Sequence, residues 1–240
     1  MSLDIDIIKD IPKKRTLHEF VKYMLGKAIV LYGQPFVGKS TFVSKLASVL
    51  RDYTGKPARF YWLDRNLINT DLGKALREIS KADVVEVKYP RAIIRAIRSE
   101  RHWDKYSMIV VDSLTGIAEE LARYSDYPDS PQVTLSTVRY ASALLSLLSE
   151  IAHEHNLVSI LVVHESVIWI GDFFGENVSP GYTGKALKNA DLVLRFILER
   201  ETKKNGELSE ERYIKVVLDR TPPNKPSKYI GSRINIRELL

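Results

Sequence analysis

The 240-residue sequence has no cysteine, which excludes structural disulfides and thiolate metal sites and fits a reducing, cytoplasmic setting. It also lacks any run near the roughly 18 apolar residues that a membrane-spanning helix needs. No membrane partner is therefore expected. The opening stretch MSLDIDIIKDIPKKR carries early acidic residues and no apolar core, unlike a secretory leader. There are no internal repeats and no low-complexity tract. Negative charge is in deficit: the formal net charge is +6 and the pI about 9.3. Such a balance fits an anionic partner such as nucleic acid, and equally a solvated basic surface.

What is present is an ordinary apolar fraction of 45%, enough for a real core. Apolar runs of strand length alternate with helical patterns. Strands are expected at 28–32, 59–64, 84–89, 108–112, 158–163, 192–198 and 213–218. Helices are expected from Thr16, whose spacing to Glu19 makes a capping box, and over 39–51, 71–80, 91–101 and 133–155. This alternation predicts an α/β fold with a mostly parallel sheet covered on both faces. Asn205-Gly206 predicts a final antiparallel hairpin. No Pro/Gly-rich linker divides the chain. The expected organisation is a short N-terminal cap or helix at 1–26 and one core domain at 27–240.

One segment carries chemistry by its spacing. Gly33-Gln34-Pro35-Phe36-Val37-Gly38-Lys39-Ser40 matches G-x-x-x-x-G-K-[ST] between an apolar strand and a helix. Glycines let the backbone curl so that N–H groups point at phosphates, and the helix adds its positive end. Lys39 would supply a point charge to the β- and γ-phosphates. The Ser40 hydroxyl is a hard-oxygen ligand suited to Mg²⁺. Thr41 offers a second hydroxyl, better suited to packing or capping. Asp112 ends the apolar strand MIVVD and is the candidate carboxylate near the metal. Its alternative role is to cap a helix from Leu114.

These residues carry a resemblance. The string IVVDSLTGI (109–117), the strand ILVVHES (160–166), the segment FGENVSPGYTGKALKNADLVLRF (174–196) and VLDRTPPNKP (217–226) resemble the RecA/RadA recombinase superfamily. The likeness spans about 25–235. It is nearest the small archaeal RadA paralogs (RadB-like), with KaiC-like ATPases as near relatives. It implies a RecA-like P-loop NTPase core, ATP and Mg²⁺ as ligands, and a role in DNA recombination and repair. Single-stranded DNA, a RadA-type recombinase or further copies of the chain are the partners it implies. ATP over GTP follows from the resemblance and from the lack of an Asn-Lys-x-Asp motif.

Two positions depart from the family. The family's catalytic glutamate falls on Asn66, whose amide can orient a water but cannot take its proton. Its sensor glutamine aligns with Glu165. Glu165 either takes over the base role or sits in a solvent salt bridge, so weak ATP hydrolysis is expected. The family's DNA-facing loops fall at about 124–132, which is acidic, and at 166–185. The second holds Trp169, Phe173, Phe174, Tyr182 and Lys185, suited either to base stacking or to a hairpin packed on the domain. Arg91, Arg95 and Arg98 stripe one side of a helix opposite Ile93, Ile94 and Ile97. That stripe is a phosphate-tracking surface or simply a solvated face.

Overall fold

The computed structural model describes residues 16–63, 70–87, 89, 92–123, 131–168, 177–180, 184–202, 208–220 and 230–236. In chain order the elements are α1 (Thr16–Met24), β1 (Ala28–Gly33), α2 (Lys39–Thr54), β2 (Ala58–Trp62), α3 (Asp71–Ser80), β3 (Asp83–Glu86), α4 (Ala92–Ser99) and β4 (Met108–Asp112). Then follow α5 (Leu114–Arg123), α6 (Pro131–His155), β5 (Val158–Ile168), β6 (Asn177–Pro180), β7 (Leu192–Thr202), β8 (Leu208–Asp219) and β9 (Arg233–Asn235). Short 3-10 turns lie at Trp103–Lys105 and Gly184–Asn189.

The strands order as β3-β2-β4-β5-β1-β7-β8-β9, with β6 paired to the far end of β5. From β3 to β7 all pairings are parallel. The β7–β8 and β8–β9 pairings are antiparallel. Parallel strands need helical crossovers, and those crossovers bury both sheet faces. Hence β1 is buried at every position, and it reads as a continuous apolar run rather than an alternating one.

The alternation reappears in three dimensions. Ile29 and Leu31 pack with Phe42, Leu46 and Leu50 of α2 on one face. Val30 and Tyr32 pack on the other with Ile93 and Ile97 of α4 and Leu144 and Leu148 of α6. Each such side chain contributes roughly 1.5–3 kcal/mol on burial. A polar substitution at Leu46 or Leu144 would break the helix–sheet contact.

Glycine fixes two of the helix ends. Gly26, at φ 71°, turns the chain out of α1 into β1. Gly55, at φ 72°, closes α2 with its N–H on the Arg51 carbonyl. Both positions lie in the left-handed region that glycine enters without a Cβ clash. The expected last hairpin forms, with Thr202 opposite Leu208; its tip lies outside the described residues. Helix α6 starts at Pro131 rather than at 133, since proline is tolerated in a first helical turn. The strand expected at 158–163 continues to Ile168, because its last residues gain an antiparallel partner in β6. The strand expected at 84–89 lies at Asp83–Glu86.

Candidate functional site

The site starts where β1 ends, in the middle of the sheet. A Cβ added at Gly33 would lie 2.5 Å from the Phe196 carbonyl oxygen, so only glycine lets β1 lie this close to β7. The loop then leaves the sheet. Gln34, Pro35 and Phe36 are exposed, while Val37 is tucked into the core. Phe36 is fully exposed and sits at a positive φ of 62°, uncommon for a residue with a side chain. Gly38 has φ 101°, and a Cβ there would meet nothing within 4 Å. Open space therefore lies on the side of Gly38 where a side chain would point. Helix α2 begins directly after it, with its first amides directed back toward the loop. Thr41 is half-buried in its first turn.

Lys39 is 5% exposed. Its Nζ donates to the carbonyls of Gly33 at 2.8 Å and Gln34 at 2.6 Å. Burial pushes its pKa down to about 8, against the opposing pull of the Asp112 and Glu165 carboxylates. An ammonium held only on two neutral carbonyls can exchange them for a stronger anionic partner.

Ser40 Oγ donates to Asp112 Oδ2 at 2.7 Å. Asp112 is buried at the last position of β4, and its peptide bond to Ser113 is cis. Of the two roles open to this carboxylate, the contact with Ser40 turns it toward the loop. Among the described residues no group of three or more His, Cys, Asp and Glu could hold a metal ion by itself. A hydroxyl beside one carboxylate instead suits a Mg²⁺ that keeps waters and takes further oxygens from a phosphate. The open space beside Gly38, the Lys39 ammonium and these two oxygen donors fit a magnesium-bound polyphosphate.

Strand β5 lies between β1 and β4, so its carboxyl end faces the same region. Its last parallel partner is Gly33, opposite His164. At Glu165 it leaves that ladder and pairs with Pro180 of β6. The Glu165 side chain is 5% exposed and accepts a bond from Arg195 Nε at 3.2 Å. A salt bridge is thus present, but the carboxylate is buried rather than in solvent. Arg195 was not singled out in the sequence, although an arginine inside the apolar strand LVLRFIL was its signal. It lies opposite Tyr32 on the neighbouring strand. Burial raises the Tyr32 phenol above its ordinary value; Arg195 opposes that rise and Glu165 adds to it.

Lys39, Ser40, Asp112 and Glu165 therefore come together. Asn66, Arg91, Trp169, Phe173, Phe174 and Tyr182 lie outside the described residues. The side chain of Lys185, in the second 3-10 turn, does too. Around them, 165–168 and 177–180 pair as an antiparallel arm. Arg95 and Arg98 are exposed on α4, opposite the buried Ile93 and Ile97.

No family profile matches the sequence, and no curated protein sequence matches it. Solved structures do match in three dimensions. The chain is similar to the RadB recombinase at 15% identity, over 92% of each chain, with a TM-score of 0.57. It is similar to a KaiC-like protein from the hyperthermophilic archaeon Pyrococcus horikoshii at 18% identity. That match covers 88% of this chain and 85% of the other, with a TM-score of 0.51. The fold is RecA-like, as these two relatives share it over nearly their whole lengths.

Proposed function

We propose that the chain binds ATP with Mg²⁺ on the 33–41 loop and hydrolyses it weakly, as a RadA-paralog-like protein of DNA recombination and repair. The observation that carries this reading is the convergence of Lys39, Ser40 and Asp112 at one glycine loop. Backbone amides of the loop and of α2 would hold the phosphates. Lys39 would exchange its two carbonyls for phosphate oxygens. Ser40 and Asp112 would hold Mg²⁺, directly or through a bound water. When bound, the metal supplies charge neutralisation to the phosphates. Glu165, near enough to Lys39 to act on its ammonium, is the group available to accept a proton from an attacking water. Asn66 would orient that water.

The DNA side of the reading rests on likeness to a recombinase, on the basic pI and on the sequence of the 166–185 segment. Trp169, Phe173, Phe174, Tyr182 and Lys185 would stack on bases and pair with phosphates there, and Arg91, Arg95 and Arg98 would add charge. The likeness to a KaiC-like protein favours a second reading, a nucleotide-switched module that binds a protein and no DNA.

Turnover of ATP by the wild type against Lys39→Ala tests the first part, with loss of turnover expected. A Glu165→Gln variant that turns over at the wild-type rate removes Glu165 from the base role. Anisotropy of labelled single-stranded DNA, with and without ATP across a salt series, tests the second part. Binding that weakens steeply with salt is expected, and no binding at low salt leaves the protein-binding module.

A further inference from the structure

The nucleotide reading leaves Arg195 without a role. Its strand β7 borders the far side of β1 from β5, yet its guanidinium reaches back to Glu165. We infer that Arg195 is a positioning residue: it offsets the charge of Glu165, so that a carboxylate can lie beside a bound polyphosphate without driving it off. This rests on the nucleotide reading and deepens it.

A charge count gives the reason. Among the described residues of the site, Lys39 and Arg195 balance Asp112 and Glu165. Remove Arg195 and the pocket that must accept a polyanion becomes negative by one charge. The extra charge is also badly placed, because Glu165 is 5% exposed on its side chain and water screens it poorly. It lies near enough to Lys39 to act on that ammonium. A carboxylate left alone in such a place is costly, and neither partner of a buried pair is removed lightly.

The fold holds the pair in place. Tyr32 and Arg195 are register partners on β1 and β7, and β1 carries Gly33 beside His164 of β5. The guanidinium thus spans from β7 across β1 to the root of the β5–β6 arm. Its own side chain is 28% exposed, so the arginine keeps contact with water while the carboxylate does not. This asymmetry suits a cation whose task is to make a buried anion tolerable.

The alternative is that Arg195 touches the phosphates itself, and the two roles part on removal of Glu165. Calorimetric titration of ATPγS with Mg²⁺ into the full chain separates them, for wild type, Arg195→Met, Arg195→Lys, Glu165→Gln and the Glu165→Gln/Arg195→Met pair. We expect Arg195→Met to weaken binding about tenfold or more, one misplaced charge at short range. Arg195→Lys should retain part of the affinity. Glu165→Gln should bind more tightly than wild type. The double variant should return to within roughly threefold of wild type, a strong coupling of the kind double-mutant cycles detect. Should Arg195→Met fail to fold, Arg195→Gln, which also removes the charge, reads the same rescue with and without Glu165→Gln. A double variant as weak as Arg195→Met, or an Arg195→Met that binds like wild type, overturns the inference. A wild type that takes up no ATPγS removes the nucleotide reading and this inference with it.

Discussion

Ser40 donates its hydroxyl to Asp112 at 2.7 Å, joining positions 72 residues apart in the chain. The link exists because α2 begins at the end of β1 and Asp112 ends β4, with only β5 between those strands. All of them point their carboxyl ends the same way, so what each strand carries at its tip meets above the sheet. In open α/β sheets this is the side where ligands bind.

Replacing Asp112 by Asn keeps the shape of the side chain and an oxygen to accept the Ser40 bond, but removes the charge. Folding stability should change by about 1 kcal/mol or less, the scale of one hydrogen bond. ATP affinity in Mg²⁺ should fall by about tenfold or more, which is about 1.4 kcal/mol, and should come to resemble the affinity in EDTA. Calorimetric titrations with Mg²⁺ and with EDTA, on both proteins, measure it. A variant that still responds to Mg²⁺ like the wild type would falsify the metal role.

Lys39 titrates at about 8 in the folded chain against an ordinary 10.5. Between those values the unfolded chain holds the proton and the folded chain has lost it. The unfolded state therefore binds more protons, and folding stability rises with pH across that window by up to about 1.4 kcal/mol per pH unit. Below the window the cost of a buried ammonium is fully felt. Nucleotide affinity should move the other way, falling as the ammonium is lost. Urea denaturation of wild type and Lys39→Met at about pH 7 and about pH 9.5 reads the first slope, which the variant should lack.

The two glycines of the loop should fail differently. Gly33→Ala drives a methyl to 2.5 Å from the Phe196 carbonyl, so strands β1 and β7 must part. A loss of about 1–3 kcal/mol is expected, as for other overpacked cores. Gly38→Ala meets no neighbour but sits at φ 101°. Its backbone should shift to a permitted region and carry the loop with it. Thermal denaturation should register the first change chiefly, and ATP titration both.

Phe36 is fully exposed and held at φ 62°. It buries nothing in this chain, and its conformation is one that glycine adopts freely. Phe36→Gly should therefore leave the melting temperature unchanged or slightly raised, since relief of strain offsets the greater freedom of the unfolded chain. A clear fall in thermal stability would show that the ring packs on something.

Much of this fold was legible in the sequence because its signals are local. The apolar runs at Ala28–Tyr32 and Met108–Asp112 have strand length and end in the residues that matter. The glycine spacing before Lys39 dictates a loop by itself. The pairing of Glu165 with Arg195 could not be read, because it depends on which strands lie side by side. Strand order β5-β1-β7 brings together residues 30 apart in sequence, and nothing local to either marks the other. The extension of β5 is hidden in the sequence for a related reason. His164, Glu165 and Ser166 interrupt the apolar pattern, and only an antiparallel partner explains why the strand continues through them. The short β9 has too little pattern to announce itself.

β1 is buried along its whole length and is hydrogen-bonded on both edges, to β5 and to β7. Its amides should thus be among the slowest in the molecule to exchange with deuterated water, opening only when the whole domain does. The glycine loop grows straight from its last residue. A ligand arriving there can reorder the loop while the strand behind it stays still. Exchange measured with and without ATP should change at 34–41 and leave 28–33 as it was.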